Sequence, residues 1–273
     1  MNLRTAGPGW LFCPADRPER FAKAAAAADV VILDLEDGVA EADKPAARKA
    51  LRETPLDPER TVVRINAAGT DEHPRDLDAL SETPYTTVML SKTESAAQVT
   101  ALAPRDVIAL IETPRGAVFA AEIAAAEGTV AMMWGAEDLV AALGGSSSRQ
   151  ADGSYRDVGR HVRSTVLLAA STFDRVALDA VYLDIGDLDG LQVEANDAVA
   201  VGFGGTVCIH PTQIPVVRKA YRPSAEKLDW ARRVLAAART ERGVFAFEGQ
   251  MVDSPVLKHA EMIVRRAGEV VSG

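Results

Sequence analysis

Two carboxylates hold matching places in the stretch VIALIETPRGAVFAAEIAAAEGTVAMMWGAEDL. Glu112 closes one short apolar run, residues 107–111, and leads into Thr113 and Pro114. Asp138 follows a second run, residues 130–134, behind Gly135, Ala136 and Glu137. Between the runs, residues 116–126 read as an alanine-rich helix with apolar positions at 117, 118, 121 and 125. Strand, turn, helix and strand in this order make a right-handed βαβ unit, whose site forms from the loops at the carboxyl ends of the strands. Glu112 and Asp138 are therefore expected in one crevice. Two carboxylates with no Cys or His nearby suit Mg²⁺, which takes one or two carboxylates and keeps positions for substrate oxygens and water. A helix-capping acid beside an unrelated surface acid is the other reading. On spacing alone the two stand level.

More polar residues sit where apolar runs end. Asp34, Glu36 and Asp37 follow a second strand, Arg64 and Asn66 lie on and after a third, and Lys92 follows a fourth. Arg64 is flanked by Val63 and Ile65. A guanidinium inside a strand needs a partner or a ligand, because an unpaired buried charge is costly. A salt bridge to Glu36 or Glu112 would serve; an anion-binding role beside the metal is the preferred expectation. The four histidines, His73, His161, His210 and His259, show no metal-ligand spacing. His73 and His259 read as exposed on helices, and only His210 stands at a strand end. No Walker loop, no Gly-x-Gly-x-x-Gly after the first strand and no serine nucleophile elbow is present.

The elements that must position these residues are read from alternation. Strand-like runs at residues 10–13, 30–33, 61–65, 87–90, 107–111, 130–134, 180–183 and 206–209 alternate with helical stretches at 42–53, 73–82, 94–102, 158–172 and 188–201. The seventh run is expected to end in Asp184. Eight strand–helix alternations in about 220 residues predict a TIM (β/α)8 barrel rather than an open sheet. The polar, glycine-rich segment GGSSSRQADGSYRD is the one long loop, of a length that normally covers a site or is disordered. Beyond the barrel, taken as residues 1–222, a small C-terminal helical appendage is expected over residues 223–273. Its helices are placed from Ser224 to Arg242 and from Val256 to about Val270, with Asp253 in the turn between.

Composition agrees with this class. The chain has 273 residues, 48% of them hydrophobic but only 5% aromatic, which fits Ala, Val, Leu and Ile strands covered by helices. Its formal net charge of −9 argues against a nucleic-acid or anionic-membrane partner. Cys13 and Cys208 each fall in an apolar run and read as buried thiols in a reducing compartment. With no signal peptide and no apolar run near ~18 residues, a soluble cytoplasmic protein is expected.

The segments LFCPADRPERF, VILDLEDGV, VVRIN, IALIETPRG, WGAEDL, GFGGTVCIHPTQI and EGQMVDSP, in this order, resemble the citrate lyase β-subunit-like family of the HpcH/HpaI aldolase superfamily. Malyl-CoA and citramalyl-CoA lyases are its close relatives. The resemblance spans nearly the whole chain. It implies a Mg²⁺-dependent TIM barrel that cleaves or forms a carbon–carbon bond in a 3-hydroxyacyl-CoA, with acetyl-CoA and a 2-oxo acid as the other side of the reaction. It further implies a homo-oligomer, a trimer or hexamer.

Carried over by motif, Glu112 and Asp138 match the family's metal ligands, and Arg64 matches the arginine at the substrate carboxylate or thioester oxygen. Asp34 and Glu36 match acids lining the same pocket. Arg17 and His210 resemble coenzyme A contacts, and Asp253 matches a tail aspartate that acts as acid–base from a neighbouring subunit. Relatives often carry Gly-Lys where this chain has Gly205 and Thr206, which puts the coenzyme A end in question.

The chemistry these residues suit is retro-aldol cleavage. The metal is the Lewis acid and template, backbone N–H groups from Gly135 and Ala136 to Asp138 receive a carboxylate, Arg64 faces the enolate oxygen and Asp253 moves the proton. Four other readings remain: a citryl-thioester lyase working on a carrier protein, a class II aldolase on free 2-oxo acids, a CoA thioesterase, and a non-catalytic metabolite-binding protein.

Overall fold

The apolar runs become eight parallel strands: β1 (Gly9–Pro14), β2 (Val30–Asp34), β3 (Thr61–Ile65), β4 (Thr87–Leu90), β5 (Asp106–Ile111), β6 (Thr129–Trp134), β7 (Val176–Asp179) and β8 (Gly205–Cys208). Each pairs with its sequence neighbour, and β8 pairs with β1 to close the barrel. The computed structural model describes residues 1–241 and 243–268. Helices between the strands cover the outer surface, as the TIM (β/α)8 architecture requires.

Alternation decides what fills the barrel. Side chains two apart share a face of a strand. Trp10, Val30, Ile32, Val62, Met89, Ile108, Leu110, Ala131, Met133, Leu178 and Val207 form one buried cluster, against which Met1, Leu3 and Ala6 of the amino-terminal segment pack. Continuing the same period by two residues gives Phe12 above Trp10, Asp34 above Ile32, Arg64 above Val62 and Glu112 above Leu110. The site residues thus succeed the last apolar layer of the core.

Three expectations shift. The seventh strand is Val176–Asp179, not residues 180–183, so Asp179 rather than Asp184 stands at its end. Two successive apolar runs, VALD and AVYLD, each finish in aspartate. The first pairs with β6 and β8, while Leu183 in the second is exposed. The helix expected over residues 116–126 is two pieces, Pro114–Val118 and Ala120–Ala125, joined at Phe119 with φ −100° and ψ 16°. His73 is half-buried, its Nδ1 2.8 Å from the Asn66 carbonyl.

The chain packs as two units, Met1–Val217 and Arg218–Gly273. The division falls inside the helix Ile214–Tyr221, whose Ile214 and Val217 are buried. In the second unit, helices Ala225–Ala238 and Ser254–Arg266 flank an antiparallel hairpin of β9 (Phe245–Phe247) and β10 (Gln250–Val252). Ala231, Val234, Val252, Ala260, Ile263 and Val264 form its own small core. These helices close at Ala238 and Arg266, short of the ends expected at Arg242 and about Val270, two positions that themselves lie outside the described residues. No helix among the described residues is long and apolar enough to cross a membrane.

Candidate active site

The carboxyl ends of the strands bring together residues far apart in the chain. Asp34 and Arg64 are register partners on β2 and β3. Ile111 pairs with Trp134, which sets Glu112 beside Gly135. A cavity of about 80 Å³ opens there. Phe12, Arg64, Leu110, Glu112, Met133, Gly135, Ala136, Glu137 and Asp138 line it, together with Ala180 and Val181 after β7. The volume admits an ion with a few waters or a small acid group, at roughly 30 Å³ per water.

Glu112 and Asp138 do share this cavity, as spacing suggested. Glu112 is buried, and one backbone hydrogen bond reaches it, from the Lys92 N–H to Oε1 at 3.0 Å. Burial first, then the charges of Asp138 and Glu36, push its pKa up to about 8, only partly offset by Lys92 and Arg64. An ionised carboxylate so crowded lacks compensation, and a divalent cation is the group that would supply it. Among the described residues, no three His, Cys, Asp or Glu side chains are grouped to hold a metal by themselves. Glu112 and Asp138 would offer two hard oxygen ligands with open positions, a set that fits Mg²⁺.

Gly135 is required at this point, because a Cβ there would lie 2.8 Å from Glu112 Oε2 and 2.9 Å from Glu112 Cβ. Its N–H, however, donates to the Ile111 carbonyl at 3.0 Å and is not free for a ligand. Of the four backbone donors expected to receive a carboxylate, those of Ala136, Glu137 and Asp138 remain, in the first turn of the helix Ala136–Ala142.

Arg64 is held rather than free: it has the salt-bridge partners that its place in a strand called for, and it still lines the cavity. Its Nε and Nη2 donate to Asp34 Oδ1 and Oδ2 at 2.7 and 2.6 Å, Nη1 lies 3.2 Å from Glu36 Oε2, and the guanidinium stacks over the Phe12 ring. Burial works against its charge, but Asp34, by charge and hydrogen bond, and then Glu36 raise its pKa above the ordinary arginine value. The partner is mainly Asp34, directly across the register, and the arginine still faces the cavity.

Asp34 and Glu36 stand behind Arg64 and do not line the cavity. Asp34 also accepts from the N–H groups of Glu36 at 2.9 Å and Gly38 at 2.9 Å, so both its oxygens are occupied. A Cβ on Gly38 would fall 2.2 Å from Asp34 Oδ2, which explains the glycine of DLEDG. Buried Lys44 fixes the loop from beneath, donating to the carbonyls of Leu35 at 2.8 Å and Glu36 at 3.1 Å and to Asn66 Oδ1 at 2.8 Å.

Arg17 and His210 follow β1 and β8, which are paired strands. Arg17 is exposed, with Asp16 3.3 Å away, and half-buried His210 uses Nδ1 to cap its own turn, with Thr212 Oγ1 at 2.7 Å. Thr206 is a buried wall residue near the start of β8, opposite Gly9, and so lies away from the loops in question. In the second unit, Asp253 is half-buried and caps the helix Ser254–Arg266, accepting from the Val256 N–H at 3.3 Å.

Lys92 stands at a strand end with no role expected of it, and the surroundings of Trp134 carry no mark in the sequence. The buried Trp134 indole donates to Asp179 Oδ1 at 2.6 Å, and Arg163 clamps the same carboxylate. Loop residues 144–157 are pinned down: Ser148 Oγ donates to Glu137 Oε1 at 2.5 Å, Arg149 pairs with Glu194 and stacks on Tyr155, and Tyr155 meets Trp134 edge-on. Polar residues at strand ends were the available signal for Lys92. Nothing local marks the Arg149–Glu194 pair.

The family model described as HpcH/HpaI aldolase/citrate lyase matches residues 9–211. A citrate lyase subunit beta-like protein of Mycobacterium tuberculosis (strain ATCC 25618 / H37Rv) is 80% identical over 272 residues, covering 100% of both chains. Mitochondrial citramalyl-CoA lyase of Homo sapiens is 30% identical over 89% of this chain and 79% of its own length. Among solved structures, the protein CitE of Mycobacterium tuberculosis in complex with magnesium, acetoacetate and coenzyme A superposes with a TM-score of 0.94 at 81% identity. That match covers 97% of this chain and 100% of that one.

Proposed function

The chain belongs to the HpcH/HpaI aldolase/citrate lyase family, and from that premise we propose that it is a magnesium-dependent carbon–carbon lyase acting on a 3-hydroxyacyl-CoA of the malyl-CoA or citramalyl-CoA type. The observation that carries this reading is the under-compensated pair Glu112 and Asp138 in one cavity with Arg64. The relative solved with magnesium, acetoacetate and coenzyme A supports both the metal and the thioester class. Its small 2-oxo or 3-oxo acid partner is matched in scale by the cavity of about 80 Å³.

Glu112 and Asp138 would hold Mg²⁺, which when bound supplies Lewis acidity toward the substrate's oxygens. The chain's own residues do the rest. Cleavage breaks the bond between C2 and C3 and the O–H bond of the C3 hydroxyl, turns C3 into a carbonyl and leaves an enolate on the thioester, so the proton lost from the hydroxyl is balanced by the one later gained at C2. Arg64, immobilised by Asp34, keeps a fixed positive charge toward the cavity, where it stabilises that enolate oxygen without reorganising. The first-turn N–H groups of Ala136, Glu137 and Asp138 receive the substrate carboxylate. Phe12, Leu110, Met133 and Val181 exclude water and strengthen each of these interactions. Asp253, supplied from a neighbouring subunit of a trimer or hexamer, returns the proton to the enolate carbon, or removes it in the condensing direction. Arg17 and His210 contact coenzyme A from the paired β1 and β8 loops.

Purified protein incubated with Mg²⁺ and a panel of 3-hydroxyacyl-CoAs, read by mass spectrometry, should release acetyl-CoA and a 2-oxo acid. Glu112→Gln and Asp138→Asn should each abolish turnover together with metal binding. Full Mg²⁺-dependent turnover in either variant would refute the metal assignment. The name of the 80%-identical relative favours one second reading, a citryl thioester held on a carrier protein. Turnover confined to carrier-bound substrate would select it.

A further inference from the structure

Lys92 touches both carboxylates assigned to the metal, and the function above leaves it unused. Its neighbours are locked: Ser91 Oγ donates to the Ile65 carbonyl at 2.7 Å, and the Thr93 N–H donates to the Leu110 carbonyl at 3.0 Å. Between them Lys92 takes φ +48°, a left-handed conformation that a lysine rarely adopts. Such a conformation persists only where its surroundings fix it, and it gathers at functional sites. The consequence is specific. The backbone N–H points to Glu112 Oε1 at 3.0 Å, while Nζ reaches Asp138 Oδ1 at 3.3 Å, Asp37 Oδ2 at 3.0 Å and Glu36.

Charge arithmetic gives the lysine its importance. Asp34, Glu36, Asp37, Glu112 and Asp138 place five carboxylates around two cations, Arg64 and Lys92. Arg64 is committed to Asp34 and Glu36. The ion pair that the structure gives Asp138 is with Lys92.

We propose that Lys92 is a positioning residue that governs cation occupancy: its N–H orients Glu112, and its ammonium holds Asp138 against Glu36 until a divalent cation takes that carboxylate over. This rests on the reading of Glu112 and Asp138 as the metal ligands. The ammonium and the metal compete for Asp138, so the lysine keeps the acidic cluster assembled without metal and keeps the bound metal exchangeable. A purely structural lysine would stabilise the fold and leave metal affinity alone.

The test measures Mn²⁺ binding by electron paramagnetic resonance to full-length wild-type protein, Lys92→Asn and Lys92→Arg. Asparagine tolerates the left-handed conformation and keeps the N–H while removing the charge. Lys92→Asn should bind Mn²⁺ about tenfold more tightly, the scale on which one neighbouring unit charge acts at a partly buried group. It should also melt lower in EDTA and gain more on adding Mn²⁺ than wild type does. At saturating Mn²⁺ its kcat should fall several-fold with little change in KM, and Lys92→Arg should restore both affinity and kcat toward wild type. If Lys92→Asn does not fold, Lys92→Gly, which adopts the same φ without strain, carries the same expectations. Unchanged or weaker Mn²⁺ affinity in a folded neutral variant overturns the role of Lys92 alone. Wild-type protein that takes up no Mn²⁺ overturns the metal reading and this inference with it.

Discussion

Magnesium binding at Glu112 should be coupled to a proton. The carboxyl is buried beside Asp138 and Glu36, and its pKa is pushed up to about 8 from an ordinary 4.5. At pH 7 only about one molecule in ten carries it ionised, so binding must first remove a proton from the other nine. That lowers apparent affinity about tenfold below its high-pH plateau, about 1.4 kcal/mol. Affinity should therefore rise about ninefold from pH 6 to 7, about fivefold from pH 7 to 8, and level off above. The sign for stability is opposite in the metal-free protein. A carboxyl whose pKa is raised by folding favours the fold as the neutral acid, so its contribution is full below pH 4.5 and is lost as pH climbs through about 8. Added Mg²⁺ should then raise the melting temperature more at pH 8 than at pH 6.

Isothermal titration calorimetry in two buffers of different ionisation enthalpy reads the protons directly. Nearly one proton should leave per Mg²⁺ at pH 6.5 and about half of one at pH 8, beyond the small contribution of any other group. Mg²⁺ affinity that is flat between pH 6 and 8, with no proton released at pH 7, would refute the claim that a protonated Glu112 stands at the metal site.

Other substitutions separate the parts. Gly135→Ala places a Cβ 2.8 Å from Glu112 Oε2, so the folded variant should lose about tenfold in Mn²⁺ affinity, measured by titration with its circular dichroism unchanged. Arg64→Lys keeps the charge but not the two parallel hydrogen bonds to Asp34, and kcat should fall about a hundredfold with a smaller change in KM; near-normal turnover would show that the fork is dispensable. Asp253→Asn should cut kcat by at least about a hundredfold while leaving Mn²⁺ affinity as in wild type. Subunits of Asp253→Asn exchanged with subunits of Glu112→Gln should recover activity, since each supplies what the other lacks; no recovery in mixed oligomers would refute a shared site.

What the amino-acid pattern made legible is what period two makes local. Val62 and Arg64, Ile32 and Asp34, and Leu110 and Glu112 each share a strand face, so a core position is followed by a polar group at the barrel mouth. Eight such runs reveal the barrel and the ring of polar ends together. Pairing within that ring was not legible. Arg64 finds Asp34 across 30 positions, Lys92 finds Asp37 across 55, and Arg149 finds Glu194 across 45. Those contacts exist only once the sheet has closed. The seventh strand failed for a related reason: VALD and AVYLD are equivalent locally, and only pairing of Ala131 with Val176 chooses between them.

The way each buried charge cluster is balanced then separates scaffold from site. Between the helices Lys44–Glu53 and Glu72–Ser81, buried Glu72 and Asp76 meet Arg48, and Arg75 joins Glu72. Asn66 donates to the remaining oxygen of Asp76 from its N–H and its side chain. That cluster is matched, as a cluster that serves folding must be. Around Trp134, Asp179 is likewise answered by Arg163 and the indole. At the barrel mouth five carboxylates face two cations, and Glu112 ends up with its pKa pushed up to about 8 instead of held down. The Arg48 cluster is matched and the barrel mouth is short by three cations, and such a deficit points to a place where a ligand completes the structure. The deficit has the sign and the hard-oxygen chemistry of a divalent cation, so the proposed metal site is supported by the charge balance around Glu112 and Asp138 as well as by their spacing.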